Sequence, residues 1–337
     1  MSIILIAGMA YFIHSKSETL SNVINLRPIY LVALMACHFI NFLLLGIIFQ
    51  APLKKIGIDL KFSQWFGLTT VSNLFNLFLP AKGGNAIRWF YLRDNNGLKT
   101  RTFLGINFLT TIIGMLSMGL LGFFFLEFAP TDLGIIQEIA SESFFIMGLI
   151  SSIILIFSFR KKIKFLKVFE NIPFEIKNTQ TYMTVFFCFT LITLLYPVRA
   201  YFSYQALGLN LSILQTTQLS VFLLMASLVP VLPGNIGIKE VVMANIASKF
   251  GIMPEIAIIA TLSERASLYL MVLPLGLSYY FHLILGVKRK PKVQTGPVLE
   301  EDVTKDNIEI HEDSYLPEVL PSMIFSSQEA HHHHERL

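Results

Sequence analysis

The side chains best placed to do chemistry fall in two Pro/Gly-rich stretches. The first is Asn76-Leu-Phe-Leu-Pro80-Ala-Lys82-Gly83-Gly84-Asn85-Ala-Ile-Arg88-Trp-Phe-Tyr-Leu-Arg93. Its proline and paired glycines break an apolar helix, and a new helix can start near Asn85. A helix start preceded by glycines exposes backbone N–H groups, which favour an anion. Lys82, Arg88 and Arg93 add positive charge there.

The second stretch is Leu228-Val-Pro230-Val-Leu-Pro233-Gly234-Asn235-Ile-Gly237-Ile-Lys239-Glu240. It follows a run with no charged residue since Arg199. Burying Lys239 and Glu240 at membrane depth is expensive unless each is paired or wet. Irregular backbone is tolerated there only against protein or a water-filled cavity. Glu264 and Arg265 lie inside a later apolar run, and Arg199 follows Tyr196-Pro197 in another. Adjacent helical residues point in different directions, so Glu264 and Arg265 require separate partners. Lys239 or Arg199 is open to Glu264, and Glu240 or a lipid phosphate to Arg265. The bland alternatives are solvated loops at the two motifs, a packing ion pair at Glu264-Arg265, and an Arg199 side chain that reaches the interface.

These residues sit in a chain of 337 residues that is 54% hydrophobic and 14% charged, with 30 phenylalanines. A soluble domain carries roughly 25% charge. Beyond residue 286 lie six basic and ten acidic residues, leaving 20 basic and 12 acidic before it. The sequence therefore divides into a basic membrane domain, 1–286, and a polar cytoplasmic tail, 287–337, expected to be disordered. A basic membrane domain suits anionic lipid head groups. No basic stripe interleaved with aromatics suggests nucleic acid. Cys37 and Cys188 lie in apolar runs without metal spacing, and no metal or cofactor is expected. His331–His334 read as a tag remnant or an adventitious metal binder. Met1–His14 lacks a basic leader and is not read as a cleaved signal peptide.

Apolar runs at 28–50, 102–128, 181–207 and 255–286 are long enough to span a bilayer, 143–159 is shorter but uncharged, and 1–14 is at the lower limit. Lysines and arginines in 51–62, in 160–180 and after 287 assign those segments to the cytoplasm, and the acidic segment 129–142 to the outside. Helix 102–128 must then be the one crossing between 51–62 and 129–142. Two crossings, 181–207 and 255–286, must join 160–180 to the tail. The apolar stretches 63–79 and 211–232 do not fit that parity as full spans. They are expected to enter and leave on one side, as re-entrant hairpins over 63–99 and 211–250. The expected fold is an all-α, polytopic integral membrane helix bundle with two inverted repeats, each holding one Pro/Gly-broken re-entrant hairpin. The shared pattern Pro-x3-Gly-Asn, at Pro80–Asn85 and Pro230–Asn235, pairs the repeats. Inverted repeats with broken helices are a transporter architecture.

The pattern Leu79-Pro80-x2-Gly83-Gly84-x3-Arg88-x3-Leu92-Arg93-x3-Gly97-Leu98, with Pro230-x2-Pro233-Gly234-x2-Gly237-x2-Glu240 and Glu264-Arg265, resembles the lysylphosphatidylglycerol synthase transmembrane region family, also called the flippase-like domain family. The resemblance covers roughly residues 25–286, and its second half is the more specific. Asn85 stands where the family often has an acid, and Asn107-Phe-Leu-Thr-Thr where it often has Glu-Arg. The resemblance implies a multi-pass protein of the plasma (cytoplasmic) membrane that moves a phospholipid or lipid-linked glycan between leaflets. The soluble aminoacyltransferase domain of the fused synthases has no counterpart in the 51 residues after 286, so lysyl transfer is not carried over. The expected substrate-binding set is Lys82, Gly83, Gly84, Asn85, Arg88, Arg199, Pro233, Gly234, Asn235, Gly237, Lys239, Glu240, Glu264 and Arg265. A transporter is favoured over an enzyme. The competing functions are a lipid-modifying transferase, with Glu240 or Glu264 as its base, and a scaffold partner of an envelope glycosyltransferase. Homo-oligomerisation is left open.

Overall fold

The structure is a computed structural model, and it describes residues 27–79, 83–128, 134–159, 179–228, 235 and 237–285. Outside these lie the expected segment 1–14, most of the basic loop 160–180, Pro80, Lys82, Pro230, Pro233, Gly234, the tail and His331–His334.

Among the described residues there are nine α-helices and no strand. They are α1 (Pro28–Lys55), α2 (Phe62–Phe78), α3 (Gly84–Asn96), α4 (Thr100–Phe128), α5 (Ile135–Phe159), α6 (Thr179–Ala206), α7 (Ile213–Leu228), α8 (Ile238–Lys249) and α9 (Pro254–Tyr279). A π-helical turn, Tyr280–Leu285, continues α9. Five helices are long and apolar enough to cross a membrane: α1, α4, α5, α6, and α9 with its extension.

Four of these five match the expected long spans. The fifth is longer than expected. Residues 143–159 read as a short span, yet α5 begins at Ile135. Glu138 lies in its first turn, where a negative charge complements the exposed N–H groups. Ser141 donates to the Glu127 carboxylate at 2.7 Å, and the Gln137 amide to the Leu126 carbonyl at 2.9 Å. Glu138 and Glu142, two of the acidic residues that marked this segment as a loop, thus lie in the helix. Farther along, α5 crosses α4 closely: a Cβ on Gly119 would lie 2.6 Å from the Gly148 nitrogen. Small residues at such crossings let helices pack without a hydrophobic drive.

The centre of the bundle is α1 packed along α6. Leu44, Phe49, Leu109, Ile113, Val185 and Ile192 form its apolar core. A second cluster, with Tyr204, Leu219, Phe222, Met243, Ala257 and Ala260, joins α6 to α7, α8 and α9. Phe145, Ile146, Leu149, Ile153 and Ile156 of α5 are exposed, as expected of side chains facing lipid.

The helices α2 and α3 run antiparallel, and their contacts form a ladder. Gln64 reaches the Tyr91 hydroxyl, Arg88 the Leu68 carbonyl, Ser72 the Asn85 side chain, and Asn76 the Gly84 backbone. Low numbers meet high ones throughout, so the chain returns to the level at which it began. Likewise α7 packs on α8. Across the bundle α2 packs on α9, and α7 on α4. At the first of these, Gly276 lets α9 come so near α2 that a Cβ would lie 2.9 Å from Leu74 Cβ.

Candidate functional site

Consecutive positions on an α-helix point about 100° apart, and Glu264 and Arg265 are sorted accordingly. Arg265 turns to the start of α8. Its Nε bonds Glu240 Oε1, and its Nη2 donates to Glu240 Oε2 at 3.3 Å and to the Asn235 carbonyl at 2.9 Å. Glu240 is only 3% exposed. It stands at the third position of α8 and reaches back to accept the Gly237 N–H at 2.8 Å. One carboxylate therefore caps α8 and holds it to α9.

The backbone before α8 bends to allow this. Asn235 has φ 53° and Gly237 φ 92°, both in the left-handed region. Asparagine tolerates that region better than most residues. The Asn235 amide donates to the Ala226 carbonyl at 3.1 Å, which secures the turn to α7.

Glu264 faces the other way. Its carboxylate lies 3.5 Å from Arg199 Nε on α6. The Arg199 guanidinium lies 4.3 Å from the centre of the Tyr196 ring, within cation–π range. The Glu264 main-chain carbonyl accepts from Ser267 at 2.7 Å and from His38 Nε2 on α1 at 3.2 Å. Lys239, half-buried, lies within electrostatic reach of Glu264, Tyr196 and His38. Among the described residues no carboxylate lies within 4 Å of its ammonium.

The pairings left open by the sequence thus resolve as Glu264 with Arg199 and Arg265 with Glu240. Arg199 does not reach for an interface: it is 7% exposed, held between Tyr196 and Glu264. His38 went unnoticed in the sequence. A single histidine inside an apolar helix is more often packing than function, and nothing in its spacing pointed to α9.

The first motif forms a separate set. The α3 helix starts at Gly84, whose N–H donates to Asn76 Oδ1 at 2.8 Å. A Cβ on Gly84 would lie 2.0 Å from the Ser72 carbonyl, so only glycine allows α3 to begin this near α2. Asn85 accepts from Ser72 at 3.3 Å. Arg88 is 9% exposed; its Nε lies 3.4 Å from the Leu68 carbonyl and its guanidinium 4.7 Å from the Phe49 ring centre. Among the described residues it has no carboxylate partner and no hydrogen bond to the second-motif network. Ser72 and Phe49 were not foreseen, and Asn76, which opens the motif, had no assigned partner, because a lone polar residue or one more phenylalanine in an apolar run carries no periodic signal.

Charge counting shows what the second set can hold. Arg199, Lys239 and Arg265 face two carboxylates, Glu240 and Glu264, so one positive charge is in surplus. Arg88 is a further buried cation without a carboxylate among the described residues. A buried surplus of positive charge favours an anion. Among the described residues no group of three His, Cys, Asp or Glu side chains is arranged to hold a metal ion.

The family model described as "Lysylphosphatidylglycerol synthase TM region" matches residues 1–276. Neither a curated protein nor a solved structure matches the chain. With five apolar helices of spanning length, the match makes this a multi-pass integral membrane protein.

Proposed function

The chain belongs to the lysylphosphatidylglycerol synthase TM region family, and on that premise we propose that it is a flippase, carrying an anionic phospholipid or a lipid-linked glycan between the leaflets of the plasma membrane. In this reading the phosphate of the head group rests against Lys239, Arg88 is a separate buried cation beside the first turn, and the acyl or isoprenyl chains stay in lipid. Gly83, Gly84 and Asn85 start one helix against the anion, and Asn235 and Gly237 start the other. Lys82, Pro233 and Gly234 belong to the same binding set in this reading. The ion pairs Glu240–Arg265 and Glu264–Arg199 hold the second turn in shape.

Buried positive charge carries the proposal. A half-buried lysine and a buried arginine without carboxylate partners among the described residues are expensive in a membrane protein. A substrate anion offsets that cost.

Two further observations support alternating access. In this reading α1 to α4 and α6 to α9 are inverted repeats, and α2–α3 and α7–α8 are re-entrant hairpins. At 17, 13, 16 and 12 residues, these four helices fall short of the about 20 needed to span. The packing also survives exchange of the two halves. Wherever two of these eight helices pack, their counterparts pack too: α2 on α9 and α7 on α4, α4 on α6 and α9 on α1, α3 on α4 and α8 on α9. Rocking of one half against the other then opens the site to each leaflet in turn.

A transferase would use Glu240 or Glu264 as its base, and both are engaged by arginines. The test is a reconstituted vesicle in which labelled phosphatidylglycerol of the outer leaflet is quenched chemically. Protein-containing vesicles are expected to lose all their label as the inner pool is delivered. Loss stopping at half, as in protein-free vesicles, contradicts the proposal for this lipid. The same outcome with a labelled isoprenyl-phosphate glycan would end it.

A further inference from the structure

We propose that His38 is a proton-binding site linked to head-group occupancy, its Nδ1 taking up a proton when a phosphate anion engages Lys239; this rests on the flippase reading. His38 lies on α1 and is 2% exposed. Its Nε2 is 3.2 Å from the Glu264 carbonyl oxygen. A carbonyl can only accept, so Nε2 carries the hydrogen and Nδ1 the lone pair. Among the described residues Nδ1 is buried without a hydrogen-bond partner. A buried acceptor left unused calls for an explanation, and a site that is filled only in another state of the transport cycle supplies one.

The groups around the ring set the direction of the linkage. Arg199 acts on it from α6, Glu264 from α9 and Lys239 from α8. Tyr196 on α6 and Cys37 on α1 belong to the same electrostatic neighbourhood. The α2 helix has no ionisable side chain, and α4 has only Arg101 in its first turn and Glu127 in its last. Glu264 offsets Arg199 at 3.5 Å. Lys239 has no such partner within 4 Å among the described residues. A proton on Nδ1 of the empty site therefore adds a cation to a surplus of positive charge. A phosphate at Lys239 cancels the surplus and removes the objection. The proton comes from water, binds the Nδ1 lone pair, and leaves when the phosphate leaves; no other bond forms or breaks. The substrate then crosses together with a proton.

Calorimetry of the full chain in nanodiscs tests this without transport. Dioctanoyl phosphatidylglycerol and methyl geranyl phosphate, two phosphodiesters whose single charge does not titrate near pH 7, are each titrated near pH 7 in two buffers of different ionisation enthalpy. At least one probe is expected to bind with uptake of up to about one proton. His38→Gln, whose amide can still donate to Glu264 but cannot be protonated, is expected to bind that probe without uptake. Absence of uptake, equal uptake in the variant, or binding of neither probe overturns the proposal. If the variant does not fold, nitrogen NMR of histidine-labelled protein reads the buried ring directly: Nδ1 becoming protonated on adding the probe supports the assignment, and no change overturns it. Translocation in vesicles without proton uptake would defeat this inference alone. Proton uptake without translocation would defeat the flippase reading alone.

Discussion

Glu240 is the residue with the most to lose. Its one buried carboxylate receives Arg265 by two nitrogens and the Gly237 N–H besides. Removing either charge leaves the other buried and uncompensated, which costs about 3–5 kcal/mol. Arg265→Ala and Glu240→Gln are each expected to lower the unfolding midpoint in detergent. The double variant is expected to cost clearly less than the sum of the two, because the second change removes the stranded partner. Strict additivity in the thermal measurements would mean that the pair contributes little. At this scale the sequence was partly legible. Lys239-Glu240, Glu264-Arg265 and Arg199 stand out because charge in an apolar run is conspicuous. Their partners were narrowed to alternatives, since the direction of each side chain depends on helix phase. His38 was not legible, because its bond to the Glu264 main chain joins residues 226 positions apart and involves no opposite charge.

Among elements, the feature to explain is the chain reversal between α2 and α3. Pro80 and the glycine pair made the break visible in the sequence. The close docking of the two arms was not visible, because Ser72, Asn76 and Gly84 meet only once the helices fold back. The start of α5 was misread because Glu138 and Glu142 looked like loop residues. If α2–α3 is a re-entrant hairpin, its two ends face the same compartment. With Cys37 and Cys188 replaced by serine, single cysteines at Lys61 and Asn96 are expected to react with an impermeant reagent from the cytoplasmic side only. Cysteines at Ser212 and Lys249, which flank α7–α8, are expected to react from the outer side only. Labelling of Lys61 and Asn96 positions from opposite sides would make the α2–α3 pair a full crossing.

At the scale of the whole molecule, composition announced the membrane domain, since 54% hydrophobic residues and 14% charge leave few other folds. The packing of α2 on α9 and of α7 on α4 was not legible. Weak similarity between two turns does not say which helices they pack against. Those contacts join the two short helix pairs, α2–α3 and α7–α8, to the long helices of the bundle. In the proposed mechanism an anion lies against Lys239. The most direct test is therefore the translocation rate of labelled phosphatidylglycerol, or of the isoprenyl-phosphate glycan if that is the lipid carried, by Lys239→Gln in reconstituted vesicles, with the exposed Lys249→Gln as control. Loss of one charge contact of about 1.5–3 kcal/mol predicts roughly a tenfold or greater slowing for Lys239→Gln, with Lys249→Gln at the wild-type rate. A Lys239→Gln protein that moves lipid as fast as wild type would contradict the account.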